Sequence, residues 1–298
     1  MKILLLGKSG QVGWELQRSL APLGEVIALD SDSQELCGDF TNLQGLTDTI
    51  RSVAPDIIVN AAAHTAVDKA ESESELARTI NALAPAMLAQ EAKRCGAWLI
   101  HYSTDYVFDG NGDKPWLETD DTGPLNVYGA TKLEGEQFIH MSGCKHLIFR
   151  TSWVYGARGS NFAKTMLRLA GERDSLSVIN DQIGSPTGAD LLADITAHAI
   201  RTVQTKPELS GLYHVVAAGE TSWHGYASFV IQHAQQAGVS MWITPEDIQA
   251  VPTSAYVTPA TRPLNSRLDT SKFQQAFNLH LPNWQFGVTR MLTEILDK

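Results

Sequence analysis

Short apolar runs alternating with amphipathic stretches predict an α/β protein built on a doubly wound parallel sheet. Two observations carry that prediction. Runs such as Ile3-Leu-Leu-Leu6 and Asp56-Ile-Ile-Val-Asn60 are almost uninterruptedly apolar, as strands covered on both faces must be. Between such runs lie helix-length segments, the connection that parallel strands require. The chain of 298 residues, 43% hydrophobic and 19% charged, has enough apolar material for a sizeable core.

Taken in order, Ile3–Leu6 ends at Gly7 and is the first strand. Gly7-Lys-Ser-Gly10-Gln-Val-Gly13 follows, then Trp14–Leu20 as an amphipathic helix. Val26–Leu29 is a second strand, closed by Asp30. Strand, glycine loop, helix, strand and acid in that order are the Rossmann-type arrangement for a dinucleotide. The spacing is GxxGxxG, not GxGxxG, but the physical needs are shared. Glycines allow a tight turn and let backbone N–H groups at a helix N-terminus approach a pyrophosphate. Asp30 would accept bonds from the adenosine ribose hydroxyls and repel a 2′-phosphate, and Ser31-Asp-Ser33 adds no cation. That predicts NADH over NADPH.

Leu43–Val53 reads as a helix stopping near Pro55, and Asp56–Asn60 as the third strand. Small residues follow in Ala61-Ala-Ala-His-Thr65, where a cofactor can pass close to backbone or where elements simply pack closely. Ala77–Cys95 is helical and Ala97–Tyr102 is a strand, with Ser103-Thr-Asp105 just past its C-terminal end, the edge where open α/β sheets bind ligands. A helix after Pro124 and the strand His146–Arg150 complete a dinucleotide-binding domain over residues 1–150. Beyond it, Asn161–Ala170, Gly188–Thr202 and Trp223–Gly238 read as helices and Leu212–Val216 as a returning strand. Pro245–Arg267, with four prolines between Pro245 and Pro263, reads as irregular, and Met291–Leu296 belongs to a closing helix. Residues 151–298 are therefore mainly a smaller, interleaved C-terminal substrate-binding domain, with segments returning to the first domain around 175–216.

Formal net charge is −10, which argues against a general nucleic-acid binder. The first apolar run is too short for a signal peptide or a membrane span, and Cys37, Cys95 and Cys144 form no CxxC pair. A reduced, cytoplasmic setting without membrane attachment is the simplest expectation.

The helix after Pro124 carries Tyr128-Gly-Ala-Thr-Lys132, whose first and last residues share one helix face. A free phenol titrates near ~10, too high for ready proton exchange at neutral pH. A cation beside it favours phenolate, typically by ~1–3 units, so Lys132 is expected to lower the Tyr128 pKa. Tyr128 then becomes a candidate proton donor to a carbonyl oxygen.

Gly7–Gly13, Thr104 and Tyr128-x-x-x-Lys132 together resemble an extended short-chain dehydrogenase/reductase. Thr104 stands 24 residues before Tyr128, where that superfamily keeps a Ser or Thr that bonds the substrate oxygen. Further stretches resemble the dTDP-4-dehydrorhamnose reductases: Asn60–Glu71, His101–Phe108, Pro124–Tyr128, Phe149–Tyr155, Asn180–Thr187 and Arg262–Arg267. The likeness runs essentially end to end.

The resemblance implies NAD(P)H-dependent reduction of a nucleotide-sugar C4 ketone, the last step of dTDP-rhamnose biosynthesis. It implies Tyr128, Lys132 and Thr104 as the catalytic set. Gly7, Gly10, Gln11, Val12 and Gly13 would take the pyrophosphate, Asp30 the ribose, and Asp39-Phe40 the adenine. Ala62, Ala63, His64 and Thr65 would line the dinucleotide path, with Tyr128 and Lys132 on the nicotinamide ribose. Thr104, Asp105 and Trp153 would face the deoxysugar and Arg262 the diphosphate, a suitable task for a guanidinium fork. Trp223 would shape the nucleotide side or serve as a core aromatic. A magnesium-dependent homodimer is also implied, with Glu15 and Asp190 as metal ligands and Asp194 able to join them; Asp190 stands where a longer Glu is expected. Two alternatives remain open: a related 4-ketoreductase giving a 6-deoxytalose product, and a non-catalytic regulatory subunit of the same fold.

Overall fold

The computed structural model describes residues 1–296. Six parallel strands form its central sheet: β1 (Lys2–Leu6), β2 (Glu25–Leu29), β3 (Ile57–Asn60), β4 (Trp98–Thr104), β5 (Lys145–Thr151) and β6 (Gly211–His214). Their order is β6-β5-β4-β3-β1-β2. The chain leaves β1 toward β2 and then crosses to β3 on the other side, so the direction of winding reverses between β1 and β3. A crevice opens there at the C-terminal strand ends.

Both faces of the sheet are covered, which is why β1 is apolar from Ile3 to Leu6. Ile3 and Leu5 pack with Leu16 of α1 (Gln11–Leu20) and Leu192 of a helix at Ala189–Val203. Leu4 and Leu6 pack on the other face with Ile50 of α2 (Leu43–Val53) and Leu88 of α3 (Ala84–Cys95). Next in the chain is α4 (Val127–Ser142), which begins at Asn126, whose side chain caps the Gly129 N–H at 2.8 Å.

The helix expected over Ala77–Cys95 is interrupted. Ser74–Arg78 is helical, Thr79–Leu83 winds as a π-turn, and α3 then resumes. Pro85 has no N–H to donate to the carbonyl one turn back, so the ladder loosens there. Gly135 of α4 fits against the Asn81 carbonyl; a Cβ at Gly135 would lie 2.2 Å from it.

In the second half, α5 (Phe162–Ala170), α6 (Ala189–Val203), α7 (Trp223–Gln236), α8 (Ser271–Phe277) and α9 (Trp284–Leu296) surround the sheet edge and a separate core containing Met166, Tyr226, Val230 and Val288. The α8 helix has no counterpart in the sequence expectation. Pro245–Arg267 is less irregular than expected, because Ile248–Val251, stopped by Pro252, pairs in parallel with Leu176–Ile179. That pair is a small sheet of its own. The segments that return to the main sheet are α6 and β6.

Candidate active site

A cavity of about 710 Å³ lies over the strand ends at the β1/β3 reversal, lined by both halves of the chain. At one end is the glycine turn. Gly7 has a φ of +88°, and a Cβ there would stand 2.7 Å from the Ala62 nitrogen. Gly13 is required for a different reason: its Cβ would fall 1.9 Å from the Gly7 carbonyl oxygen, so α1 could not sit against the turn. Gly13 therefore supports the turn and does not itself line the cavity, whereas Gly7, Gly10, Gln11 and Val12 do. Gly10 supplies no side-chain cap, leaving the first N–H groups of α1 available to an anion.

Asp30, Asp39, Phe40, Ala62, Ala63 and Thr65 extend this wall. Asp30 Oδ1 accepts from the Ser33 hydroxyl at 3.1 Å, and Lys8 Nζ lies 4.0 Å from the same oxygen. A cation thus reaches Asp30 from the glycine loop, although Ser31-Asp-Ser33 supplies none. His64 departs from expectation. It does not line the cavity; its ring Nε2 lies 3.1 Å from Glu73 Oε2, and the Asn81 amide holds its backbone N–H and carbonyl.

Tyr128, Lys132 and Thr104 stand in the wall of the same cavity. Thr104, at the last position of β4, donates to Asp105 Oδ1 and accepts from the Tyr106 N–H, both at 3.1 Å. Burial raises the Tyr128 phenol to about 12, against the pull of a Thr104 hydrogen bond and with the Asp105 charge adding to the rise. This corrects the expectation of a lowered phenol. Lys132 Nζ is turned to the Tyr102 carbonyl at 2.6 Å, and burial brings it down to about 8. With its Nζ held by β4, Lys132 does not lower the phenol of the resting Tyr128.

Burial likewise raises Asp105 to about 6, opposed by bonds from Ser266 and Thr104. Its Oδ2 has no partner, and neither do the hydroxyls of Ser103 and Thr151. All three residues line the cavity, so its floor holds polar atoms awaiting partners. Ser103 belongs to the stretch expected at the ligand-binding sheet edge, whereas Thr151 is not among the sequence candidates, although its position at the end of β5 is a sufficient signal.

The far wall is aromatic. Trp153 and Trp223 stack with ring centroids 3.7 Å apart and planes 15° apart, and both line the cavity. Trp153 has a φ of +49°, a left-handed conformation rare for a bulky residue. Gly184 makes room for its ring; a Cβ there would be 2.8 Å from the indole. Trp223 lines the cavity and also packs as a core aromatic against Phe162, donating to Gln182 Oε1 at 3.0 Å. Arg262 does not line the cavity. It forms a two-pronged pair with Asp68, at 2.7 and 3.1 Å, behind Tyr106.

Glu15 and Asp190 line one smaller cavity, but the carboxylates expected to hold magnesium are each paired with an arginine. Asp190 pairs with Arg290, Glu15 with Arg18 at 3.3 Å, and Asp194 with the same Arg18 at 2.9 Å. Among the described residues no group of three or more His, Cys, Asp or Glu could hold an ion. Within one chain arginines thus neutralise each of these acids.

A glycine turn at a helix N-terminus, the β1/β3 crevice, and a Thr–Tyr–Lys group at the adjoining strand ends define the short-chain dehydrogenase/reductase class. Within it, the chain belongs to the RmlD substrate binding domain family, which it matches over residues 1–296. It is 64% identical to the dTDP-4-dehydrorhamnose reductase of Salmonella typhimurium (strain LT2), over 99% of this chain and 98% of that protein. The protein of the same name from Escherichia coli (strain K12) is 63% identical over the same shares. A solved dTDP-4-dehydrorhamnose reductase from Bacillus anthracis, in complex with NADP, superposes with a TM-score of 0.87 at 35% identity, covering 98% of this chain and 99% of that one.

Proposed function

We propose that this protein reduces the C4 ketone of dTDP-4-dehydro-β-L-rhamnose to dTDP-β-L-rhamnose, using a nicotinamide dinucleotide. The observation that carries this reading is the placement of Tyr128 and Thr104 on one cavity wall, with the glycine turn at the cavity's other end. Bound there, the dinucleotide would supply a hydride to the sugar C4 carbon. Tyr128 keeps its proton at neutral pH, because its pKa is about 12, and gives it to the C4 oxygen as negative charge builds. Thr104 turns its hydroxyl from Asp105 to the same oxygen. Lys132, charged below about pH 8, stabilises the phenolate left behind. Hydride and proton together complete the two-electron reduction to an alcohol. Tyr128→Phe should bind the dinucleotide normally and lose about 10²–10⁴-fold in kcat. Near-normal turnover in that variant would reject the assignment, and NMR of the product sugar separates rhamnose from its C4 epimer.

Asp30 favours NADH, while Lys8 beside it lessens the penalty on a 2′-phosphate. The expected kcat/KM therefore favours NADH modestly; a tenfold preference for NADPH would overturn this. Arg262 would leave Asp68 to meet the diphosphate. The proposed division is a dinucleotide-binding domain, 1–150 with returning segments, and a mainly substrate-binding remainder, 151–298. The protein would act as a homodimer in the cytoplasm, in keeping with three free cysteines and with no described helix long and apolar enough to cross a membrane. Light scattering that gave the 32.5 kDa mass of one chain would refute the dimer.

A further inference from the structure

Lys132 sits at the end of a buried hydrogen-bond chain whose directions can be read from its other end. The Ala62 N–H donates to Asn60 Oδ1 at 3.0 Å, so flipping the Asn60 amide would set two donors against each other. Asn60 Nδ2 is then the donor to His101 Nδ1, 2.9 Å away. A neutral imidazole carries one N–H, and with Nδ1 accepting, that proton stands on Nε2. His101 Nε2 lies 3.3 Å from Lys132 Nζ, and the two side chains are 1% and 2% exposed. An ammonium at Nζ meets a donor on that side, whereas a neutral amine would accept from it.

We propose that His101, locked as the Nε2–H tautomer by Asn60, is a positioning residue that sets how readily Lys132 carries its charge. Through Lys132 it sets the alkaline limit of the reaction, a role that rests on the reductase reading above. Burial lowers both groups, and the Lys132 charge is the second cause for His101, which stays well below the ordinary imidazole range. The other ionisable neighbours are few. Glu136 on α4 favours the charged lysine, but its carboxylate is paired with Arg150 of β5 at 2.7 Å. Tyr128 shares the helix face, the Tyr102 carbonyl accepts from Nζ, and Asp105 acts on the Tyr128 phenol. His101 is thus the neighbour that opposes the charge at contact distance.

The tautomer is read directly by NMR of ¹⁵N-histidine-labelled protein, with His101 assigned by its loss in His101→Phe. The expected pattern is protonated Nε2 and bare Nδ1; a proton on Nδ1 overturns the proposal. In the wild type, kcat/KM should fall above about pH 8, and in His101→Phe that limb should move up by about half to one unit. A limb that stays put in a folded His101→Phe assigns the residue a purely structural role. Should that variant not fold, Asn60→Asp serves instead: its carboxylate accepts from Nδ1, which draws the ring proton from Nε2 to Nδ1, makes Nε2 an acceptor and shifts the limb upward, and an unmoved limb there also overturns the proposal. Absence of NADH oxidation by the wild type would count against the reductase reading alone, since the tautomer is observed without turnover.

Discussion

The two walls of the cavity are held in different ways. The wall carrying Thr104, Tyr128 and Lys132 is tied down by buried polar bonds. Lys132 donates to the Tyr102 carbonyl, Asn60 reaches His101, and Glu136 of α4 grips Arg150 of β5 with both side chains at most 5% exposed. The facing wall uses the stacked indoles of Trp153 and Trp223. Outside the cavity, Arg262 and Asp68 form an ion pair whose partners are 23% and 41% exposed. A buried charge pair tolerates little displacement, because an uncompensated charge in the interior is costly. Stacked rings and surface pairs shift cheaply. The residues proposed for the chemistry are thus held on the rigid side, and the stacked indoles form the adaptable one.

The largest expected effect tests that contrast at its strongest point. Glu136→Ala leaves Arg150 buried and unpaired and should cost about 3–5 kcal/mol in urea unfolding at pH 7. A loss below ~1 kcal/mol would mean the two walls are held alike.

Asp105 gives the next largest effect, with opposite sign. Its pKa in the folded protein, about 6, lies above the ordinary 3.8, so the folded state holds the proton more tightly. Stability therefore falls as pH rises between those values, and the full cost is present at pH 7. Asp105→Asn should stabilise by roughly 2–3 kcal/mol at pH 7, with the gain gone at pH 3, while kcat drops because Thr104 loses its carboxylate partner. Unfolding curves that show the same gain at both pH values would remove burial of the charge as its cause.

The smallest effect belongs to the exposed ion pair outside the cavity. Arg262→Gln should change stability by less than about 1 kcal/mol while raising the nucleotide-sugar KM and sparing kcat. A larger stability loss would mean the Asp68 pair is a structural clamp.

By itself the sequence determined the features that spacing and periodicity encode. Parallel strands buried on both faces leave apolar runs, the glycine turn needs its residues in fixed order, and Tyr128 and Lys132 share a helix face because they are four apart. Tertiary structure decided which partner each charge finds. Lys8 returns to Asp30, Arg262 pairs with a residue 194 positions away, and arginines take up Glu15, Asp190 and Asp194. It also turned His64 out of the cavity and raised the Tyr128 phenol where proximity to a lysine predicted a fall. Local spacing fixes which residues can be neighbours on one element; burial and long-range contacts, which spacing does not encode, fix where their charges go.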